Sequence, residues 1–177
     1  MTVRRRAAFL AACCALGVAG CGLAHAQGLS FRVDNRLHLT APADLKSVNQ
    51  PVSVSWAITG FRVAGGGTER PSRQAGYFGV FVDRAPIAPG QTMRAVASGD
   101  HICLSDPQCP GADYLAARHV FTTTTPTVTL PRLPDVPGDA EPVQVHRVIV
   151  VLIDTGGHRI GESAWELDLR LPQAGSA

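Results

Sequence analysis

Between Val143 and Ile153 the chain is dense in valine and isoleucine, and towards its end it is apolar at both alternations. That pattern predicts a strand covered on both faces, hence a central strand of a sheet. Asp154-Thr155-Gly156-Gly157 then supplies a hairpin turn in which glycine takes positive φ, and Arg159 to Leu171 returns. In the return, Trp165, Leu167, Leu169 and Leu171 share one side and Glu166, Asp168 and Arg170 the other. One face meets a core and one meets water.

The rest of the chain repeats this theme in shorter pieces. Arg36 to Thr40 alternates polar and apolar, and from Pro51 onward Val52, Val54, Trp56 and Ile58 point opposite to Ser53, Ser55, Ala57 and Thr59. Tyr77 to Val82 is apolar or aromatic except at Gly79 and reads as a second doubly covered strand. Thr92 to Ala97 and Thr127 to Leu130 are read as short strands, and Asp113 to Thr124 as a helical turn leading into a strand. Arg62 to Ala75, with Gly65-Gly66-Gly67 and mixed charges, is too poor in apolar residues to order itself and is read as a flexible loop. Pro131, Pro134, Pro137 and Gly138 mark a long connection.

Seven to eight short strands with proline and glycine punctuation, and at most a short helix near residues 112–118, predict an all-β antiparallel sandwich. The order of signals resembles a fibronectin type III or other immunoglobulin-like module. The residues carrying it are Pro51 before the Trp56 strand, the strand Tyr77 to Val82, Thr127-Val128-Thr129-Leu130, the proline-rich corner and the hairpin Val143 to Leu171. Such modules usually place a tyrosine on the penultimate strand, where this chain offers His146, and the segment Ala85 to Thr125 is longer than they need. Trp56 is expected in the core.

Arg4, Arg5 and Arg6 followed by the uncharged run Ala7 to Gly20 have the layout of a secretory signal. The run through Leu23 is at the lower limit for crossing about 30 Å of hydrocarbon. Two ends are open. Ala24-His25-Ala26 suits ordinary signal peptidase, giving a signal of residues 1–26, whereas Val18-Ala19-Gly20-Cys21 resembles the lipobox of bacterial lipoproteins and would leave Cys21 acylated after a signal of residues 1–20. Residues 27–35 would form a short tether, 36–171 one domain and 172–177 a tail. The product would be lipid-anchored through Cys21 in the envelope, or soluble in the periplasm or outside the cell. Of the 16 lysines and arginines, the three in the signal would be lost, leaving 13 against 14 acids. Near-neutrality argues against nucleic acid and anionic bilayers as partners, and the only membrane contact expected is the Cys21 anchor.

Cys103 and Cys109, with Pro107 and Pro110 constraining the turn, are read as a disulfide closing a small loop. Their spacing is not that of a zinc knuckle, and no metal or cofactor is expected. His101, His119, His146 and His158 are scattered. Ser163 lies in Gly161-Glu162-Ser163-Ala164-Trp165, which lacks the nucleophile elbow, so no catalytic residue is expected. What is left is a non-catalytic exported module that binds an envelope protein or surface component through loops, with Arg62, Arg70, Arg73, His101 and Asp106 as candidate contacts. A structural spacer without a dedicated ligand is the alternative.

Overall fold

The computed structural model describes residues 34–133 and 143–172. The signal segment with Cys21, most of the tether, the corner around Pro134 and Pro137, and the tail after Pro172 lie outside the described residues. In chain order the strands are β1 (Leu37–Ala41), β2 (Lys46–Ser47), β3 (Val52–Ile58), β4 (Arg62–Val63) and β5 (Ala75–Val82), then β6 (Val120–Thr123), β7 (Thr127–Leu130), β8 (Val143–Asp154) and β9 (Trp165–Pro172). Two short helices, α1 (His101–Ser105) and α2 (Ala112–Ala116), fall between β5 and β6.

Two sheets form. One has the order β1-β3-β7, antiparallel throughout. The other has the order β2-β9-β8-β5-β4, with β6 also pairing with β5, and only the two-residue strands β2 and β4 run parallel to their neighbours. The alternation in β3 sends Val52, Val54 and Trp56 to one side, where they join Leu37 and Leu130. Facing them are Phe78, Val80 and Val82 of β5, Val148, Val150 and Leu152 of β8, and Leu167 and Leu169 of β9. The two inner faces thus enclose one core, and the described residues form a β-sandwich. Trp56 is buried in it, its ring edge-on to Phe78 with centroids 5.0 Å apart.

The opposite faces of β5 and β8 are also buried. Phe81, Ile149, Val151, Ile153 and Val120 of β6 meet Ile87, Met93, Val96 and Leu115, which come from the excursion between β5 and β6. A third layer therefore covers the outside of the second sheet. This explains the change of pattern within β8, which alternates at Val143–Val148 and is buried continuously from Val148 to Ile153. Beyond the cover, Val143 and Val145 stand exposed.

The excursion corrects two sequence expectations. Thr92–Ala97 is no strand: Met93–Ala97 is a 3₁₀ helix whose buried residues, Met93, Val96 and Ala97, recur at the three-to-four spacing of one helical face. Helix is also not limited to residues 112–118, because α1 forms at the disulfide, with the Asp100 carboxylate accepting the Cys103 N–H at its start. The return from the hairpin is shorter than its pattern suggested. It pairs at Arg159 and Ile160, bulges out through Gly161–Ala164 and rejoins β8 at Trp165. Pro172, assigned to the tail, closes β9.

Gly76 is where β5 first pairs with β8, opposite Asp154, with φ +155°. A Cβ there would overlap the Ile153 carbonyl and lie 2.7 Å from the Asp154 Cα. Gly76→Ala is expected to cost at least about 3 kcal/mol in urea unfolding, since backbone has to move. Gly90→Ala, also at positive φ but in open space, should cost only about 1–2 kcal/mol.

Candidate binding surface

The segment Arg62–Ala75 has no core of its own, as its composition implied, but it follows a defined path because neighbours supply its partners. Arg62 and Ala64 donate backbone N–H groups to the Gln74 and Gly76 carbonyls, so the segment closes on itself beside β5. At its tip, Gly67 N–H donates to the Thr155 carbonyl at 2.7 Å and the Thr155 hydroxyl donates to the Glu69 carbonyl at 2.9 Å. Arg62 and Glu69 form an ion pair at 2.6 Å, and Arg36, held by Asp34, donates to the Arg73 carbonyl at 2.8 Å. Arg70 and Arg73 point into solvent, and neither guanidinium has a partner among the described residues.

The hairpin that holds this loop also holds a third segment. Met93 N–H donates to the Gly157 carbonyl, Arg159 N–H to the Gln91 carbonyl and Gly90 N–H to the Arg159 carbonyl. The Arg159 side chain is buried and donates to the carbonyls of Ile87, Glu162 and Ser163 at 2.7, 2.8 and 3.3 Å. Burial pushes its pKa below the usual arginine value. Asp154 Oδ1 accepts the Gly156 and His158 N–H groups and shapes the turn. Tyr77 lies against Gly66 and Gly157; burial first, and the nearby Asp154 charge second, raise the pKa of its hydroxyl. Loop 65–73, hairpin 154–160 and segment 90–93 therefore make one hydrogen-bonded surface. The sequence pattern reads Asp154–Gly157 as a turn and Arg159 as the start of the return strand, and does not show that both organise this surface. The signal available was a single arginine two positions after a glycine pair and next to the apolar Ile160.

The second predicted loop is a separate unit. Cys103 and Cys109 are bonded, as their spacing and flanking prolines predicted, and the bridge fits an oxidising compartment. Arg94 threads the loop from beneath, donating to the carbonyls of Leu104, Cys109 and Asp106. Asp100 accepts from Cys103 N–H with one oxygen and from Tyr114 Oη at 2.9 Å and Arg118 at 3.3 Å with the other. The Arg118 guanidinium also lies 3.5 Å from the Tyr114 ring centroid. His101 and Asp106 are exposed at the rim. Among the described residues, no hydrogen bond or ion pair joins them to Arg62, Arg70 or Arg73.

The remaining polar candidates are spent in the frame. His146 is fully buried in β8, its Nδ1 donating to Asp83 Oδ2 at 2.8 Å, while Asp83 Oδ1 accepts the Arg147 N–H at 2.7 Å. Nε2 of His146 meets no partner. Ser163 lies beside Asp34 and presents its carbonyl to Arg159. Among the described residues, no group of three or more histidine, cysteine or acidic side chains is placed to hold a metal ion. No described helix is long and apolar enough to cross a membrane.

Compared with protein-family models, with curated proteins and with solved structures, the chain matches none.

Two outcomes are expected from the polar frame. Asp83→Gly, which keeps the positive φ accessible, leaves buried His146 without its carboxylate and should cost about 1–3 kcal/mol in chemical denaturation at neutral pH. Asp100 is held below the ordinary carboxylate range, chiefly by the Cys103 N–H and then by Tyr114. Its stabilisation is complete above the unfolded value near 3.9 and is lost as pH falls through the lower folded value. Asp100→Ala should therefore lower the melting temperature at pH 7, with the gap from the parent protein closing below about pH 4.

Proposed function

We propose that the chain is an exported, non-catalytic sandwich module of the fibronectin III and immunoglobulin-like kind, which binds an envelope protein or surface component through loops at one end. The strand order supports the fold half of this reading. Lettered along the chain, β1-β3-β7 takes the places of strands A, B and E, and β5, β8 and β9 those of C, F and G in the opposite sheet. β6 lies beside β5, as the added C′ strand of variable-type domains does, and β2 extends the far edge along β9. His146 stands in the penultimate strand and ties it to Asp83 across the end of β5.

The carrying observation for the binding half is the joining of three chain segments by backbone hydrogen bonds around hairpin 154–160. A loop ordered in advance loses little freedom on binding, so exposed side chains on it gain affinity. Arg84 and Arg94 clamp backbone carbonyls, Asp100 caps α1, and His146–Asp83 and Arg147–Asp168 tie strands, which supports a frame role for them rather than chemistry. Export is supported by the disulfide and by the layout of the first 26 residues.

A photo-crosslinking residue placed at Arg70 or Gln91 should capture one and the same envelope species, and one placed at Ser53, on the outer face of the first sheet, should not. Capture from Ser53 alone, or none from either loop position, would overturn the reading.

A further inference from the structure

Resting on that reading, we propose that the ligand of this surface is a polymer bearing repeated anionic oxygens, phosphate or carboxylate, taken by the guanidinium groups of Arg70 and Arg73. Most other arginines of the described residues are engaged, and the exposed Lys46 and Arg170 lie on β2 and β9 rather than in this loop. Arg36, Arg62, Arg118 and Arg147 are paired with carboxylates, and Arg84, Arg94 and Arg159 are spent on backbone carbonyls. Glu69, the acid nearest in sequence to Arg70, is taken by Arg62, and Asp34 by Arg36. The acids that would otherwise neutralise the loop are thus already committed.

The backbone under both arginines is fixed. Arg73 is held through its carbonyl by Arg36, and Arg70 follows Glu69, whose carbonyl is held by Thr155. Three residues apart, their Cα atoms are at most about 10 Å from each other, so both can address neighbouring charges on one chain. Guanidinium forks pair with planar carboxylate and with phosphate oxygens in two parallel bonds, which makes arginine rather than lysine the suited residue.

The same loop is poorly suited to a protein partner. Stable protein interfaces are centred on buried aromatic or aliphatic anchors inside a polar rim. The large exposed hydrophobic side chains, Leu45, Ile102, Val143 and Val145, are all outside residues 65–74, where Pro71 is the one apolar ring. A polyanion needs no such anchor, because counterion release and charge-assisted bonds carry its binding.

The test measures binding of the purified chain to polyphosphate, polygalacturonate and neutral dextran at varied salt. Binding is expected to at least one of the two polyanions and not to dextran; which one binds distinguishes phosphate from carboxylate. Arg70→Ala/Arg73→Ala should weaken it roughly tenfold or more. Lys46→Ala/Arg170→Ala removes the same net charge from two exposed cations on β2 and β9 and should leave binding near the parent value. Both pairs are exposed, so melting temperatures should stay unchanged. The proposal is overturned if neither polyanion binds, if dextran binds as well as they do, or if the Lys46/Arg170 variant loses as much as the Arg70/Arg73 variant. Capture of a protein from Arg70 together with failure of both polyanions would retain the binding surface and reject its anionic ligand.

Discussion

Val148–Ile153 is the segment on which the structure turns, because each of its side chains enters one of two cores. Val148, Val150 and Leu152 belong to the core between the sheets, and Ile149, Val151 and Ile153 to the core beneath the excursion. Strand β5 has the same double membership through Phe78 and Val80 on one side and Phe81 on the other. The two strands pair over seven residues, Gly76 to Val82 against Asp154 to Val148, so either layer, if loosened, would expose one face of the pair. A burial of this kind is worth about 1.5–3 kcal/mol for each large aliphatic side chain, and the double cover draws it from both faces of the same backbone.

The third layer buries few apolar side chains of its own, and its polar groups compensate. Asp100 starts α1, Arg94 gathers the carbonyls where the disulfide loop turns, and Arg159 gathers those of Ile87 and the bulge before β9. In each case a charged group satisfies main-chain atoms that an irregular segment would otherwise leave unpaired. The same economy reaches loop 65–73 through Thr155 and Gly67, which is how a glycine-rich loop acquires a fixed path.

Much of this was readable from residues alone. The alternation of β3, the doubly apolar β5 and β8, the polarity of β9, the helical turn before β6 and the Cys103–Cys109 pair all follow from periodicity, β-branching and spacing. The strand expected at Thr92–Ala97 failed because a run so short fits both periods, and only the sheet beneath it selected the helical face. α1 was missed because its signal, an aspartate before a five-residue helix, is weak beside the prolines that follow. Of the candidate contacts, Arg70, Arg73, His101 and Asp106 are exposed, Arg62 is paired with Glu69, and the hairpin that unites the first loop with residues 90–93 was not foreseen.

By itself the sequence determined the class of fold, since an alternation of side chains along a strand is local and its two faces are set by the pleat. It also determined the disulfide, which needs only two nearby cysteines and a turn. Which faces meet, and which of the many arginines remains free, was decided by tertiary structure alone. Those outcomes depend on acceptors contributed by residues far away along the chain, such as Thr155 for Glu69 and Ile87 for Arg159.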